Sequence, residues 1–207
     1  LAIVGAGMIG ASWAALASAH GVAVFAYDPN PEAEARFLAH VERARTQLTE
    51  LGLTGAGAVS FSSDLATALA GAGFVQENGP ENEAVKRKLL AEIDAILPAE
   101  AIIASSTSAL VRSSIVADCA RPERIVVAHP FNPPHLVPLV EIVGADAEVV
   151  ARAADFYRSL GRRPVVLNRE MPGHIANRLA SALYREAVHL VEQGVASVAD
   201  IDAALCN

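Results

Sequence analysis

Four polar residues stand out because packing alone does not account for them. His129 follows an apolar run in Ala128-His-Pro-Phe-Asn-Pro-Pro, and Glu141 interrupts another in Leu139-Val-Glu-Ile-Val. A carboxylate inside an apolar strand needs a partner. Histidine titrates near neutrality and can take or return a proton, and a carboxylate on one ring nitrogen fixes the tautomer and stabilises imidazolium. Ser108, in Ser105-Ser-Thr-Ser-Ala-Leu, and Asn177, in Pro172-Gly-His-Ile-Ala-Asn-Arg, could hold a substrate oxygen. The chemistry implied is loss of an alcohol proton to His129 while a bound group accepts the electrons. Each residue alone has a duller account: a hydroxyl-rich loop, a hydrogen-bonded histidine, a helix anchor. His135 is a weaker alternative base in the same Pro-rich stretch, with no carboxylate at a comparable position.

An electron acceptor has a place in the sequence. Gly5-Ala-Gly7-Met8-Ile9-Gly10 fits G-x-G-x-x-G between a strand and a helix. The first glycine permits the tight turn, the second lets backbone approach a pyrophosphate, and the third lets helix and strand pack closely. Free amides at the helix N-terminus favour an anion even in an acidic protein. Asp28 follows Gly10 by 18 residues, where a carboxylate can hold a ribose 2′-OH. No Arg or Lys comes after it until Arg36, which favours NAD over NADP. A glycine-rich turn with a capping Asp is the alternative, and a flavin has no separate support.

The elements that must position these groups alternate. Strands are expected at Leu1–Val4, Val22–Tyr27, Val59–Phe61, Phe74–Gln76, Ala101–Ala104, Ile125–Ala128, Leu139–Val143 and Pro164–Leu167. Helices are expected at Met8–His20, Pro31–Leu51, Asp64–Ala70, Glu83–Leu97, Ser113–Cys119 and Ala147–Leu160. This alternation specifies an α/β fold, a Rossmann-type doubly wound, mostly parallel sheet over residues 1–170. Residues 171–207 differ: one long apolar-periodic helix at Ile175–Gln193, then another beginning after Ser197. They read as the start of an all-helical second domain, cut short. That explains a length equivalent to roughly 1.4 domains. The absence of an initial Met predicts that a few leading residues are missing.

Composition closes off other classes. Apolar residues make up 53% of the 207, so a packed core is expected rather than disorder. With 16 basic and 23 acidic residues the net charge is −7, and no basic block exists to hold nucleic acid. Cys119 and Cys206 lie far apart without a Cys/His cluster, which excludes a disulfide scaffold and a zinc site and makes a reducing, cytoplasmic setting the default. Leu1–Tyr27 carries no Asp, Glu, Lys or Arg, but glycines, serines and a histidine break the run and no basic region precedes it. It reads as buried soluble structure, neither a membrane span nor a signal peptide.

Taken together, Ser108, His129, Glu141 and Asn177 at their spacing resemble the L-3-hydroxyacyl-CoA dehydrogenase family, over essentially the whole chain. Within it the pattern is closest to the lambda-crystallin/L-gulonate 3-dehydrogenase and carnitine dehydrogenase branch. The resemblance implies that His129 is the general base for a 3-hydroxyl and that Glu141 orients it. Ser108 and Asn177 would hold the substrate oxygen. Asp28 would bind the adenine ribose of NAD, with Glu81, Lys86 and Asn132 along the cofactor. It also implies a homodimer formed through the helical domain.

Two departures qualify the resemblance. Where acyl-CoA enzymes carry a Ser and a Lys that contact CoA, this chain has Ala44 and Leu51, and the helical hairpin that follows looks shortened. A free 3-hydroxy acid such as gulonate, 3-hydroxybutyrate or carnitine is therefore favoured over the CoA thioester of fatty acid metabolism, although Arg43 and Arg45 could meet phosphates. Most of the helical domain is also missing, so the chain as it stands is expected to bind NAD yet turn over poorly. A short-chain dehydrogenase fails, since Tyr157 and Tyr184 are followed at the fourth place by Gly161 and Val188 rather than Lys. A non-catalytic NAD-binding or crystallin-like protein is the remaining rival.

Overall fold

The computed structural model describes residues 1–206 of the 207. Its first unit, Leu1–Pro172, is built on one eight-stranded sheet. In chain order the strands are β1 (Ala2–Val4), β2 (Val24–Tyr27), β3 (Val59–Ser62), β4 (Phe74–Glu77), β5 (Ile102–Ser105), β6 (Ile125–Pro130), β7 (Leu139–Val143) and β8 (Arg163–Val166). They lie side by side as β3-β2-β1-β4-β5-β6-β7-β8. The helices of this unit are α1 (Met8–Ala19), α2 (Ala33–Glu50), α3 (Leu65–Leu69), α4 (Glu83–Ile96), α5 (Arg112–Ile115) and α6 (Ala147–Ser159). Strand order reverses between β1 and β4, and ligands of open α/β sheets bind at such a switch point, beyond the strands' carboxyl ends.

Alternation along each strand feeds two cores. Phe74, Ala104 and Val126 face one side, with Trp13, Leu16, Phe37, Leu48 and Tyr157 of α1, α2 and α6. Val75, Ile103 and Val127 face the other, with Leu90 and Ile93 of α4 and Ile115 of α5. Successive side chains of a strand point to opposite faces, so the near-continuous apolar runs mark strands covered on both sides. α1 packs between the sheet and α2, and Gly10 to Ala19 are all buried, which is why this helix carries no charge. α2 shows the opposite pattern. It buries Phe37, Val41, Ala44 and Leu48, a stripe at helical spacing, and turns its charges to water. Asp64, Asn82 and Asp146 cap α3, α4 and α6 by accepting first-turn amides.

Most boundaries shift by a residue or two from the sequence expectation, and three of the shifts have a visible cause or bear on the site. β4 runs one residue further, to Glu77, and β6 two further, to Pro130. β6 gains its length from β7, which pairs with it antiparallel as the far arm of a hairpin. α5 stops at Ile115 instead of Cys119. The reason is Asp94, whose carboxylate accepts the amides of Ala120 and Arg121 and pairs with Arg124 at 2.7 Å, drawing the chain out of the helix.

The second unit, Gly173–Asn207, contributes α7 (Ala176–Glu192) and α8 (Val198–Cys206). Ser197 and Asp200 cap α8 reciprocally: the Asp200 amide donates to Ser197 Oγ and the Ser197 hydroxyl to the Asp200 carboxylate. Among the described residues neither helix buries a residue, and Leu179, Leu183 and Tyr184 of α7 are exposed. Among the described residues no helix is long and apolar enough to cross a membrane.

Candidate active site

The β6–β7 hairpin brings the proposed proton-transfer pair together. Its register sets His129 directly opposite Glu141, and directly opposed side chains of an antiparallel pair lie on one face within reach of each other. His129 Nδ1 is 2.9 Å from Glu141 Oε2. Both are buried, at 5% and 1% exposure, and Phe131 packs on the imidazole with ring centroids 5.1 Å apart. A carboxylate beside Nδ1 selects the tautomer with its proton there, which leaves the Nε2 lone pair as the basic site. His135, the other candidate base, is engaged elsewhere. Its Nε2 contacts Gln47 Oε1 of α2 at 2.7 Å, while the Arg162 guanidinium binds the carbonyls of Pro134 and His135. Burial, and then Arg162, hold His135 below its ordinary value and disfavour its charged form.

Ser108 sits beyond the end of β5 in a loop organised by Glu81. Glu81 Oε1 accepts from the Thr107 hydroxyl at 2.6 Å, the Ser108 amide at 2.9 Å and the Ala109 amide at 3.1 Å, and Ser108 Oγ lies 3.3 Å away. Burial pushes the Glu81 carboxyl up, but the Thr107 and Ala109 hydrogen bonds, Lys86 and the Ser108 amide outweigh it and hold it below its ordinary value. Lys86 is buried at 1% exposure and donates to both oxygens of Glu77, at 2.8 and 3.1 Å, and to the Gly79 carbonyl. Its ammonium thus anchors the loop after β4, and it does not line the adjacent cleft. Asn132 is exposed on the Pro-rich loop, before a cis peptide to Pro133. Asn177 lies in the first turn of α7, in the second unit.

The fit to a dinucleotide rests on the turn after β1. Gly5 has φ +95°, and a Cβ there would come within 2.6 Å of the Asn78 carbonyl. A Cβ on Gly10 would reach 2.1 Å from the Gly5 carbonyl, so α1 packs this closely on β1 only with glycine. Gly7 instead faces open space, the room a diphosphate needs. No side chain caps α1 and its first turn holds no acid, so the amides around Met8 and Ile9 are presented to a ligand. Asp28 is anchored by the Ala6 amide on Oδ2 and the Asn30 amide on Oδ1. Beside it opens a cleft of about 470 Å³ lined by Val4, Tyr27, Asp28, Val85, Leu89 and Glu92 among others. Burial first, then the carboxylates of Glu92, Asp28 and Asp64, push the Tyr27 phenol above its ordinary value, a sign of a negative field. Arg36 is the next cation along the sequence, but in space Lys88 of α4 also lines the cleft, with its ammonium 3.9 Å from Glu92.

Sequence reasoning missed Glu77, Ser105 and Gln76. Ser105 Oγ donates to Glu77 Oε2 at 2.5 Å, and Gln76 Nε2 donates to Ser106 Oγ at 2.8 Å. The available signal was a polar Gln-Glu-Asn run closing a strand that is otherwise apolar.

Comparison with known proteins agrees with this geometry. Residues 1–171 match the model of the 3-hydroxyacyl-CoA dehydrogenase NAD binding domain, and residues 173–207 match that of the C-terminal domain. L-carnitine dehydrogenase from Bacillus cereus is 46% identical over 98% of this chain and 64% of its own length. The enzyme of that name from Streptomyces coelicolor is 47% identical over 99% of this chain and 66% of its own. The chain thus spans slightly under two thirds of these relatives. Among solved structures, 5-formyl-3-hydroxy-2-methylpyridine 4-carboxylic acid 5-dehydrogenase, described as an NAD+ dependent dismutase, superposes with TM-score 0.92. It is 39% identical and covers 99% of this chain and 69% of its own. The 3-hydroxybutyryl-CoA dehydrogenase of Escherichia coli gives TM-score 0.85 at 32% identity, over 94% of this chain and 43% of its own.

Proposed function

We propose, from the premise that this chain belongs to the 3-hydroxyacyl-CoA dehydrogenase family, that the protein oxidises the 3-hydroxyl of a free 3-hydroxy acid with NAD. The observation that carries this reading is the buried His129–Glu141 pair at the carboxyl end of the sheet that also presents the dinucleotide turn. His129 Nε2 takes the hydroxyl proton, and Glu141 stabilises the imidazolium and keeps the ring in place. Ser108 holds the substrate oxygen. Bound NAD supplies the two-electron acceptor.

The lean towards a free acid rests on α2. Ala44 is buried and Leu51 is an exposed aliphatic side chain, so neither offers CoA a cationic or hydrogen-bonding contact. Arg45, which could meet a phosphate, lies 3.6 Å from the Glu42 carboxylate. The higher identity to carnitine dehydrogenases than to the 3-hydroxybutyryl-CoA enzyme points the same way and puts carnitine first among the acids. The thioester of fatty acid metabolism is the second reading, favoured by the family's other members. A cytoplasmic homodimer formed through the helical domain completes the proposal.

The test is kcat/KM with NAD for carnitine, gulonate, 3-hydroxybutyrate and 3-hydroxybutyryl-CoA on the intact protein. The proposal expects a free acid to lead. A thioester preferred by ~100-fold, about 2.7 kcal/mol of transition-state binding, would overturn it in favour of the second reading and move attention to Arg43 and Arg45.

A further inference from the structure

The end of β4 joins the nucleotide turn to the loop of Ser108. β4 lies between β1 and β5, with Gln76 beside Ile3 and Ala104, and Glu77 beside Val4 and Ser105. Its last residues grip the outgoing β5 strand from both faces of the sheet. On the α4 face, Glu77 accepts from Ser105 and from Lys86. On the α6 face a directed chain of hydrogen bonds runs through side chains. The Tyr157 hydroxyl donates to Gln76 Oε1, Gln76 Nε2 to Ser106 Oγ at 2.8 Å, and the Ser106 hydroxyl to Asn78 Oδ1 at 2.7 Å. Asn78 closes the chain on β1: its backbone amide donates to the Val4 carbonyl at 2.6 Å, and its Nδ2 reaches the same oxygen at 3.4 Å. Val4 immediately precedes Gly5, whose Cα side faces the Asn78 carbonyl.

Tyr157 and Gln76 are buried at 0% and 1% exposure, so their link is made away from water, where an unmade bond is costly, while Ser106 and Asn78 are half-buried. Both flanks of Asn78 also border the cleft beside Asp28, which is lined by Val4 and Gly5 on one side and Gly79 and Pro80 on the other. A dinucleotide seated there restrains Asn78 from two directions.

We infer that Gln76, Asn78 and Ser106 are positioning residues that couple the two sites, so that cofactor binding orders the Ser108 loop before substrate arrives. The inference rests on the proposed placement of NAD and of Ser108. Coupling of this kind needs no visible movement: a ligand that stiffens the turn removes part of the ordering cost at the loop. By reciprocity, a ligand at the Ser108 loop then tightens NAD binding by the same factor.

The experiment is hydrogen exchange over residues 105–110, with and without saturating NAD, in the intact protein and in Ser106→Ala and Ser106→Thr. The unmodified protein is expected to gain about tenfold protection in this segment on binding NAD, in the usual range of site-to-site coupling. Ser106→Ala is expected to bind NAD within about threefold of normal yet gain less than about twofold protection, while Ser106→Thr, which keeps the hydroxyl, restores the gain. Turnover should follow as a raised KM for the acid with little change in kcat. Equal protection in Ser106→Ala and the unmodified protein overturns the inference, as does no protection from bound NAD in the unmodified protein. Failure to bind NAD at all overturns both this inference and the functional reading. Intact coupling with no turnover of any 3-hydroxy acid overturns the functional reading alone.

Discussion

An alcohol gives up its carbon-bound hydrogen with an electron pair only when its hydroxyl proton has somewhere to go, and in the proposed reaction His129 is the side chain that takes it. Replacing His129 with Gln keeps a similar volume and removes the base. We expect kcat to fall by ~10²–10⁴, the usual contribution of general acid–base catalysis, with NAD affinity within about twofold by titration calorimetry. Near-normal turnover would discard the pair. Glu141→Gln should also lower kcat, because a neutral amide beside Nδ1 no longer stabilises imidazolium. Asp28 sets the other residue-level expectation. Its carboxylate shares the cleft with Glu92, against Lys88 alone, so a 2′-phosphate enters a net negative field. Asp28→Asn should narrow the NAD over NADP preference by about tenfold, one removed charge contact being comparable to ~1.4 kcal/mol at an exposed site. An unchanged preference in paired titrations would take the discriminating role away from Asp28.

Elements carry these side chains, and the strength of local signals decided which elements could be read. β1, α1 and the glycine turn are legible because the spacing has one backbone solution, whereas β6 was read two residues short because its length depends on β7, a partner the local pattern does not reveal. The same non-local step hid the site's scaffolding. Ser105-Ser-Thr-Ser looks like a loop, yet Ser105 meets Glu77, Ser106 meets Asn78, and Thr107 and Ser108 meet Glu81. Two predictions belong here. Gly10→Ala pushes a methyl to 2.1 Å from the Gly5 carbonyl, so α1 must lift from β1. NAD affinity should fall at least about tenfold and stability by ~1–3 kcal/mol, the usual cost of overpacking, both checked by titration and urea unfolding. The Pro-rich loop gives the second. His135 binds a proton less readily folded than unfolded, through burial and Arg162, with Gln47 its hydrogen-bond partner. Its stabilising contribution is complete above about pH 6.5, the unfolded value, and is lost as pH falls through the lower folded value. The melting temperature should therefore drop from about pH 8 to about pH 5.5 less steeply in His135→Gln than in the unmodified protein. Parallel slopes would show that the loop does not carry this linkage.

At the scale of the whole molecule, the cofactor is a structural partner as well as a reactant. A net charge of −7 offers nothing to a diphosphate at long range, so its binding depends on the short-range turn, the uncapped amides of α1 and the cleft beside Asp28. Those groups come from β1, β2, the β4–α4 connection and α4, elements spread through both cores, so unfolding any of them dissolves the site. A ligand bound to the folded state alone stabilises it by RT ln(1 + [L]/Kd), about 2.7 kcal/mol at a hundredfold excess over Kd. For a chain of this size 1 kcal/mol moves the midpoint by roughly 2–4 °C, so NAD at that excess should raise the melting temperature by about 5–11 °C. NADP at the same concentration should raise it much less, because the acidic cleft weakens its binding. The shift should persist in His129→Gln, whose base lies on the β6–β7 hairpin outside the nucleotide turn, and should shrink in Gly10→Ala, whose turn is displaced. A thermal scan of the three proteins with each cofactor distinguishes these outcomes. Equal shifts from NAD and NADP, or a full NAD shift in Gly10→Ala, would mean that the dinucleotide is held somewhere other than the turn after β1.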